Sequence, residues 1–134
     1  MQEYEIRIDK EGTWYYHGNK MFRLELVSFL ASHLQKIDGE YYICWREQKV
    51  PVGVEDVPYV INGVFFEEGQ LKGRLADGRE AFLPAGMEVV LKEDVPYVSL
   101  FGNDCDTRFT RAAYWQLLPY MAEENGRHYL RYPG

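Results

Sequence analysis

The chain has 134 residues, 46% of them hydrophobic and 16% aromatic, which suits one compact domain and excludes a disordered chain. Its net charge of −6 excludes general nucleic-acid binding, because contact with phosphate backbones needs clustered lysines and arginines. The two cysteines, Cys44 and Cys105, do not make a disulfide framework or a zinc site. We expect a cytoplasmic protein without membrane association, since the sequence has neither an apolar signal region nor a membrane-spanning run.

The first third of the chain predicts a hairpin followed by a helix. Residues 4–8 alternate with period two, and residues 13–17 return as their partner strand. From residue 20 to about residue 36 the apolar period becomes helical, and Asp38-Gly39 ends the predicted helix. The apolar face of this helix comprises Phe22, Leu26, Phe29, Leu30, His33, Leu34 and Ile37.

Three extended segments follow: residues 40–46, 50–54 and 57–66. The last contains Asn62-Gly63, which predicts a bulge or turn. Glu67-Glu68-Gly69 marks the predicted boundary between two halves, residues 1–66 and 67–134, which we expect to pack as one compact unit.

The second half predicts short antiparallel strands and then a helix over residues 107–122, capped by Asp106 or Thr107. Pro119 is costly inside a helix, so the helix kinks or ends near Leu118. Asn125-Gly126 closes this region. The predicted strands of this half are residues 70–75, 79–83, 87–92, 93–101 and 128–132.

The hexapeptide Glu-Asp-Val-Pro-Tyr-Val occurs twice, at residues 55–60 and 93–98, which lie 38 positions apart (93 − 55). Each half also carries one helix with an arginine in its first turns, a polar residue followed by glycine, and an aromatic strand. The helix precedes the hexapeptide in the first half and follows it in the second. Either the duplication is permuted, or only the strand motif recurs. The fold class predicted is therefore α+β, with two structurally related halves of mostly antiparallel strands plus one helix each.

Several segments resemble the bacterial family called domain of unknown function 1285. They are the run Gly-Thr-Trp-Tyr-Tyr-His-Gly at residues 12–18, Arg23, residues 52–60, Pro96-Tyr97-Val98, Arg111 and Tyr114. Residues 44–49 depart from the family pattern, and the chain is shorter than typical members, as in a divergent branch. The resemblance implies a duplicated α+β fold whose second half is loosely like a pleckstrin-homology barrel. It also implies a ligand site between the halves, with cyclic-dinucleotide signalling as the inferred role.

The candidate ligand-binding residues are two arginines and four aromatic or histidine side chains. Arg23 and Arg111, each near a helix start, are candidates to hold a phosphate, although either can instead pair with a Glu-Asp carboxylate. The aromatic rings can shape a pocket or simply fill the core. The four remaining candidates are Trp14, Tyr59, Tyr97 and His17.

The sequence contains no phosphate loop, nucleophile elbow or metal-ligand spacing, so we predict no enzyme activity, no metal and no cofactor. The two Glu-Asp pairs each precede Val-Pro, where they serve turns. The function predicted is a non-catalytic sensor of a small ligand such as a nucleotide, bound between the halves. The alternative is a protein–protein interaction module without a small ligand. An open sheet edge would also permit a homo-oligomer.

Overall fold

The computed structural model describes residues 4–133, which form two sheets and two short helices. The first sheet has six strands in the order β3-β2-β1-β6-β5-β4, antiparallel except for the parallel pair β1 and β6. Helix α1, Leu24–Ser32, belongs to this half. The strands are β1 (Ile6–Ile8), β2 (Trp14–Tyr16), β3 (Asn19–Lys20), β4 (Leu34–Ile37), β5 (Glu40–Trp45) and β6 (Gln48–Val54).

The second sheet has eight strands in the order β13-β14-β10-β11-β12-β7-β8-β9, with helix α2 (Arg111–Leu117) packed on β7. Its only parallel pair in the described chain is β12 with β7. The strands are β7 (Tyr59–Glu67), β8 (Gln70–Leu75), β9 (Glu80–Phe82), β10 (Glu88–Lys92), β11 (Val95–Val98), β12 (Thr107–Phe109), β13 (Met121–Glu124) and β14 (Arg127–Leu130).

Each half has its own buried core, as alternating strand residues require. In the first half, Ile6, Ile8 and Trp14 pack against Val27 and Ala31 of α1. In the second half, the core includes Tyr59, Ile61, Leu71, Leu83, Val98, Phe109, Ala113, Leu117 and Leu130. The expected α+β fold with two related halves is confirmed.

The chain leaves the first sheet after Val54 and enters the second at Tyr59. The predicted division after residue 66 coincides with the turn between β7 and β8, inside the second sheet. Glu68 and Gly69 form this turn with φ values of +52° and +78°. The predicted bulge at Asn62-Gly63 is present as a register shift between Ile61 and Gly63.

Both predicted helices are too long. The first was predicted to end at Asp38-Gly39, but α1 ends at Ser32, and Asp38-Gly39 is the two-residue turn between β4 and β5. Asn125-Gly126 likewise joins β13 to β14. Both dipeptides have two successive positive φ values, +51° and +83° in the first and +54° and +79° in the second. Two such residues fit a type I′ hairpin turn, whereas a helix stop needs only one.

The apolar face predicted for the first helix is also wrong. Phe22 precedes α1 and is 81% exposed, while Leu26 and Phe29 are 40% and 41% exposed. The buried face instead carries Val27 and Ala31. The predicted periodicity ran across a helix and a following strand, so its later members belong to β4.

Helix α2 begins later than predicted, because residues 107–109 extend the sheet as β12. Its cap is Thr110, whose Oγ1 accepts a hydrogen bond from the Ala113 N–H at 3.2 Å. The predicted caps Asp106 and Thr107 were therefore wrong. The effect of Pro119 was predicted correctly, since α2 ends at Leu117 and a single 3₁₀ turn, Leu118–Tyr120, follows.

The two copies of the hexapeptide have different local structures, but the strands that they lead into flank the same strand, β12. Residues 55–58 link the sheets, whereas Glu93-Asp94 forms the tight turn between β10 and β11. Strand β12 pairs with β7 on one side and β11 on the other, so Thr107 lies beside Tyr59 and Arg108 beside Tyr97. In the described chain, no helix is long and apolar enough to cross a membrane.

Candidate functional site

A cavity of about 440 Å³ lies between residues of the two sheets. Its walls combine three tyrosines with two lysines and three carboxylates, so it is suited to a polar ligand with a flat ring. The lining residues are Tyr4, Lys36, Gly39, Glu40, Tyr41, Val52, Val54, Asp56, Val57, Lys92, Tyr97, Asp104 and Cys105. We call this space the junction cavity.

Each half contributes one lysine to the junction cavity. Lys36 lies on β4 of the first sheet, and its Nζ is 5.6 Å from the centre of the Tyr41 ring. Lys92 ends β10 of the second sheet, and its Nζ is 5.0 Å from the centre of the Tyr97 ring. Among residues 4–133, neither ammonium group has a carboxylate oxygen within 4.0 Å. Both charges are therefore available to an anion.

The carboxylate of Asp56 is held by the opposite half. The Tyr97 hydroxyl donates to Asp56 Oδ2 at 2.8 Å, and Arg108 Nε lies 3.7 Å from the same oxygen. Arg108 Nη2 in turn donates to the backbone oxygen of Lys10 in the β1–β2 turn. Burial, followed by the hydrogen bond to Asp56, raises the pKa of Tyr97 to about 12. Tyr97 is thus a neutral donor that fixes Asp56 at the cavity wall.

The loop between β11 and β12 supplies Asp104 and Cys105 to the cavity, and a buried carboxylate holds it in place. Asp106 is only 1% exposed, and its carboxylate accepts hydrogen bonds from the backbone N–H groups of Leu100 at 2.8 Å and Phe101 at 2.9 Å. Burial is the main cause that raises the pKa of the Cys105 thiol. The thiol is therefore kept protonated and weakly nucleophilic.

Of the residues predicted as a site, Tyr97 alone lines the junction cavity. Tyr59 is 5% exposed, and its ring centre lies 4.1 Å from that of Phe101. Burial raises the pKa of Tyr59 to about 12, as expected of a core phenol. Trp14 is 2% exposed and fills the core of the first half. Neither ring faces the cavity.

The other three predicted residues lie apart from one another. Arg23 is at the surface, with its Nε 3.4 Å from Glu25 Oε1. His17 occupies the exposed turn between β2 and β3 with a φ of +48°. Arg111 borders a different cavity beside α2. Their participation in ligand binding stays a prediction.

Sequence reasoning missed Lys36 and Lys92, although each lies next to a polar hairpin turn. Position beside a turn does not reveal which turns meet in space. The predicted pairing of an arginine with a Glu-Asp carboxylate does occur, but the arginine is Arg108, which pairs with Asp56. The alternation of Thr107, Arg108 and Phe109 is a strand signal that would have exposed this arginine.

The family model for the domain of unknown function DUF1285, N-terminal domain, matches residues 1–57. Residues 1–57 are therefore similar to that amino-terminal domain. The resemblance predicted from the sequence is thereby confirmed. The match ends three residues after β6, the last strand of the first sheet along the chain, so this domain corresponds to the six-stranded half.

Two crystal structures of DUF1285 family proteins have similar folds. The protein from Shewanella baltica OS155 is 24% identical with a TM-score of 0.72, over 86% of this chain and 91% of that chain. The protein from Silicibacter pomeroyi DSS-3 is 22% identical with a TM-score of 0.75, over 94% of this chain and 74% of that chain. Both structures cover more of this chain than residues 1–57, so the similarity of fold includes part of the second sheet. None of the curated proteins matches the chain.

Alkaline unfolding tests the environment of Tyr97. Its pKa of about 12 lies above the ordinary value of 10.0, so the neutral phenol is favoured in the folded state. The resulting stabilisation is complete below about pH 10 and is lost as the pH rises through about 12. We expect Tyr97→Phe to make the free energy of unfolding decline less between about pH 10 and about pH 12, measured by urea titration.

The control for this experiment is Tyr16→Phe, since Tyr16 is 49% exposed and does not line the junction cavity. This variant should show the same alkaline decline as the wild type. An equal decline in Tyr97→Phe would show that the Tyr97 phenol is not held in its neutral form.

Proposed function

We propose that the junction cavity binds a nucleotide and that the protein is a non-catalytic, cytoplasmic sensor of this ligand. The observation that supports the proposal most is that the ammonium groups of Lys36 and Lys92 form no ion pair within residues 4–133. They come from different sheets and border one cavity. A ligand that engages both would join the two halves, and its free energy of binding would then stabilise their contact.

Different groups in the cavity walls suit the phosphate and the base of a nucleotide. Lysine ammonium groups are compact donors that suit phosphate oxygens, and the rings of Tyr41 and Tyr97 offer surfaces for a base. The carboxylates of Glu40, Asp56 and Asp104 would repel a phosphate, but they accept hydrogen bonds from the N–H groups of a base. Guanine presents both an amino and a ring N–H group, so a guanine nucleotide fits this arrangement best.

The size of the cavity favours a single nucleotide. Its volume of about 440 Å³ lies in the lower part of the ~300–1,000 Å³ range of small-molecule sites. A cyclic dinucleotide, the ligand class implied by the family resemblance, would have to extend into solvent. The proposal includes no chemical step, because the thiol at the cavity, Cys105, has a raised pKa.

A thermal-unfolding panel tests the proposal. GMP, GDP, AMP and cyclic di-GMP at about 1 mM should be compared, and the guanine nucleotides should raise Tm by mass action. Lys36→Ala and Lys92→Ala should each weaken binding about tenfold or more, the loss expected for a charge-assisted hydrogen bond. Affinities of the variants should be measured by isothermal titration.

Lys49→Ala is the matched control, because the Lys49 Nζ also lies over a tyrosine ring, 4.6 Å from the centre of Tyr42, but does not border the cavity. It should leave nucleotide affinity unchanged. A panel in which no nucleotide shifts Tm would overturn the sensor proposal. If Lys49→Ala and Lys92→Ala weakened nucleotide binding equally, the loss of affinity would reflect the net charge of the protein and not a contact at the cavity.

Exposed aromatic side chains in the first half support a second candidate function, the protein-interaction module. Phe22 is 81% exposed, and Phe29 and Trp45, with ring centres 5.0 Å apart, are 41% and 40% exposed. Exposed aromatic clusters commonly mark binding surfaces. The module would be favoured if nucleotides had no effect while a purified partner bound the wild type but not Phe22→Ser.

A further inference from the structure

A second cavity, of about 410 Å³, lies between the β10–β11 turn and the outer side of α2. The second copy of the hexapeptide forms one wall through residues 93–96, and α2 contributes an arginine and two aromatic side chains. The lining residues are Glu93, Asp94, Val95, Pro96, Arg108, Phe109, Arg111, Tyr114 and Trp115. We call it the α2 cavity.

The two arginines of the α2 cavity differ in their existing contacts. Arg108 already donates to the backbone oxygens of Lys10 and Phe109 and lies 3.7 Å from Asp56. Arg111 is exposed, and within residues 4–133 its guanidinium makes neither a hydrogen bond nor an ion pair. The guanidinium of Arg111 is therefore the group available to a ligand carboxylate, for which its planar fork is suited.

Two carboxylates balance these cations. Glu93 and Asp94 form the β10–β11 turn, are exposed, and are not in an ion pair within residues 4–133. The lining thus carries two positive and two negative side chains. A simple anion would meet the carboxylates, and a simple cation would meet the arginines, so both are disfavoured. A ligand that carries one charge of each sign is complementary to this lining.

The rest of the cavity is apolar or aromatic. Phe109 is 1% exposed and Pro96 is buried, so both present a fixed surface. Trp115 is 63% exposed, an unusual state for the largest apolar side chain, and it lies one helical turn after Arg111. An apolar side group held near Arg111 would cover part of this indole and remove its surface from water.

We infer that the α2 cavity binds a free α-amino acid with an aromatic or large aliphatic side chain. The ligand carboxylate pairs with Arg111, its ammonium group pairs with the carboxylates of Glu93 and Asp94, and its side chain packs on Trp115. The inference concerns a different cavity from the proposed nucleotide site and does not depend on it.

Isothermal titration with three probes of one skeleton tests the charge requirement. The probes are L-phenylalanine, phenethylamine, which lacks the carboxylate, and 3-phenylpropionate, which lacks the ammonium group. L-Phenylalanine should bind about tenfold or more tightly than either analogue, because each analogue leaves one set of charges unpaired. No binding of L-phenylalanine at about 10 mM, or equal binding of an analogue, would overturn the inference.

Two variants assign the charges to residues. Arg111→Gln should weaken L-phenylalanine binding about tenfold, whereas Arg127→Gln, an exposed arginine on β14, should not. The double variant Glu93→Gln, Asp94→Asn should bind 3-phenylpropionate more tightly than the wild type does, since the repulsion of its carboxylate is removed. These side chains are exposed, so Tm should stay close to that of the wild type.

Unchanged L-phenylalanine affinity in Arg111→Gln, or unchanged 3-phenylpropionate affinity in the double variant, would contradict the inferred pairing. Lys36→Ala and Lys92→Ala should not alter L-phenylalanine binding, because both lysines line the junction cavity and neither lines the α2 cavity. Loss of binding in these variants would place the amino acid in the junction cavity and overturn the inference.

Discussion

Replacing Gly12 with alanine is expected to lower the free energy of unfolding by about 2–5 kcal/mol. Gly12 has a φ of +86°, and an added Cβ would lie 2.8 Å from the Val60 Cβ and 2.9 Å from the Ala76 Cβ. Both neighbours are themselves Cβ atoms fixed to the backbone, so the clash cannot be relieved by rotating a side chain. The cost combines left-handed backbone strain with overpacking between the β1–β2 turn and the second sheet.

Gly18→Ala is the matched control for this experiment. Gly18 has a similar φ of +81°, but an added Cβ would have no atom within 4 Å. Only the backbone strain remains, which costs about 1–2 kcal/mol. Urea unfolding of both variants would measure the difference, which isolates the clash between the two halves. Equal losses would show that Gly12 is needed for its backbone conformation alone.

Replacing Asp106 with alanine should cost about 3 kcal/mol or more, because three partly buried N–H groups would lose their acceptor together. Its two carboxylate oxygens accept hydrogen bonds from the backbone N–H groups of Leu100, Phe101 and Asn103 and from the Thr107 hydroxyl. Without them, the loop between β11 and β12 loses its internal support. Thermal and urea unfolding would measure the loss.

Asp104→Ala is the control for Asp106→Ala, since Asp104 is in the same loop but is exposed. Its replacement should change the free energy of unfolding by no more than about 0.5 kcal/mol. Asp106→Asn should be intermediate, because the amide keeps one acceptor oxygen and replaces the other with a donor. If Asp106→Ala were as stable as Asp104→Ala, the carboxylate would not be what holds the loop.

Hairpins were predictable from this sequence, and helix lengths were not. The alternation around Ile6 and Ile8 and the Asn62-Gly63 bulge depend on neighbours in sequence, which local patterns describe. Asp38-Gly39 was misinterpreted because a polar residue followed by glycine serves both helix ends and type I′ turns. The hairpin turn forms here because the four residues before it pair with β5, and this pairing exists only in the folded sheet.

The repeated hexapeptide shows the limit of local sequence most directly. The identical residues form a bent link between the sheets at residues 55–58 and a tight turn at residues 93–94, where Glu93 and Asp94 have φ values of +51° and +67°. Tertiary pairing with β10 decides the second conformation. The repeat was still informative, because both of its tyrosines lie beside β12.

The candidate site was only partly predictable. The repeat and the family resemblance predicted a site between the halves that includes Tyr97, and Tyr97 does line the junction cavity, whereas ligand binding there stays a prediction. Lys36 and Lys92 are 56 positions apart (92 − 36) and line the same cavity only because the fold brings β4 and β10 to it. Trp14 and Tyr59 were candidates on aromatic character alone, and that character is equally typical of a core.

The separation of the sheets along the chain has a consequence for synthesis. Every described strand of the first sheet ends by Val54, before any strand of the second begins at Tyr59. The first sheet can therefore pair its strands while the rest of the chain is still on the ribosome. Its contacts with Val60 and Arg108 must wait until those residues emerge, as must the contribution of Lys92 to the junction cavity. We expect the cavity to be completed late, so truncated or stalled chains would expose its open side to chaperones and proteases.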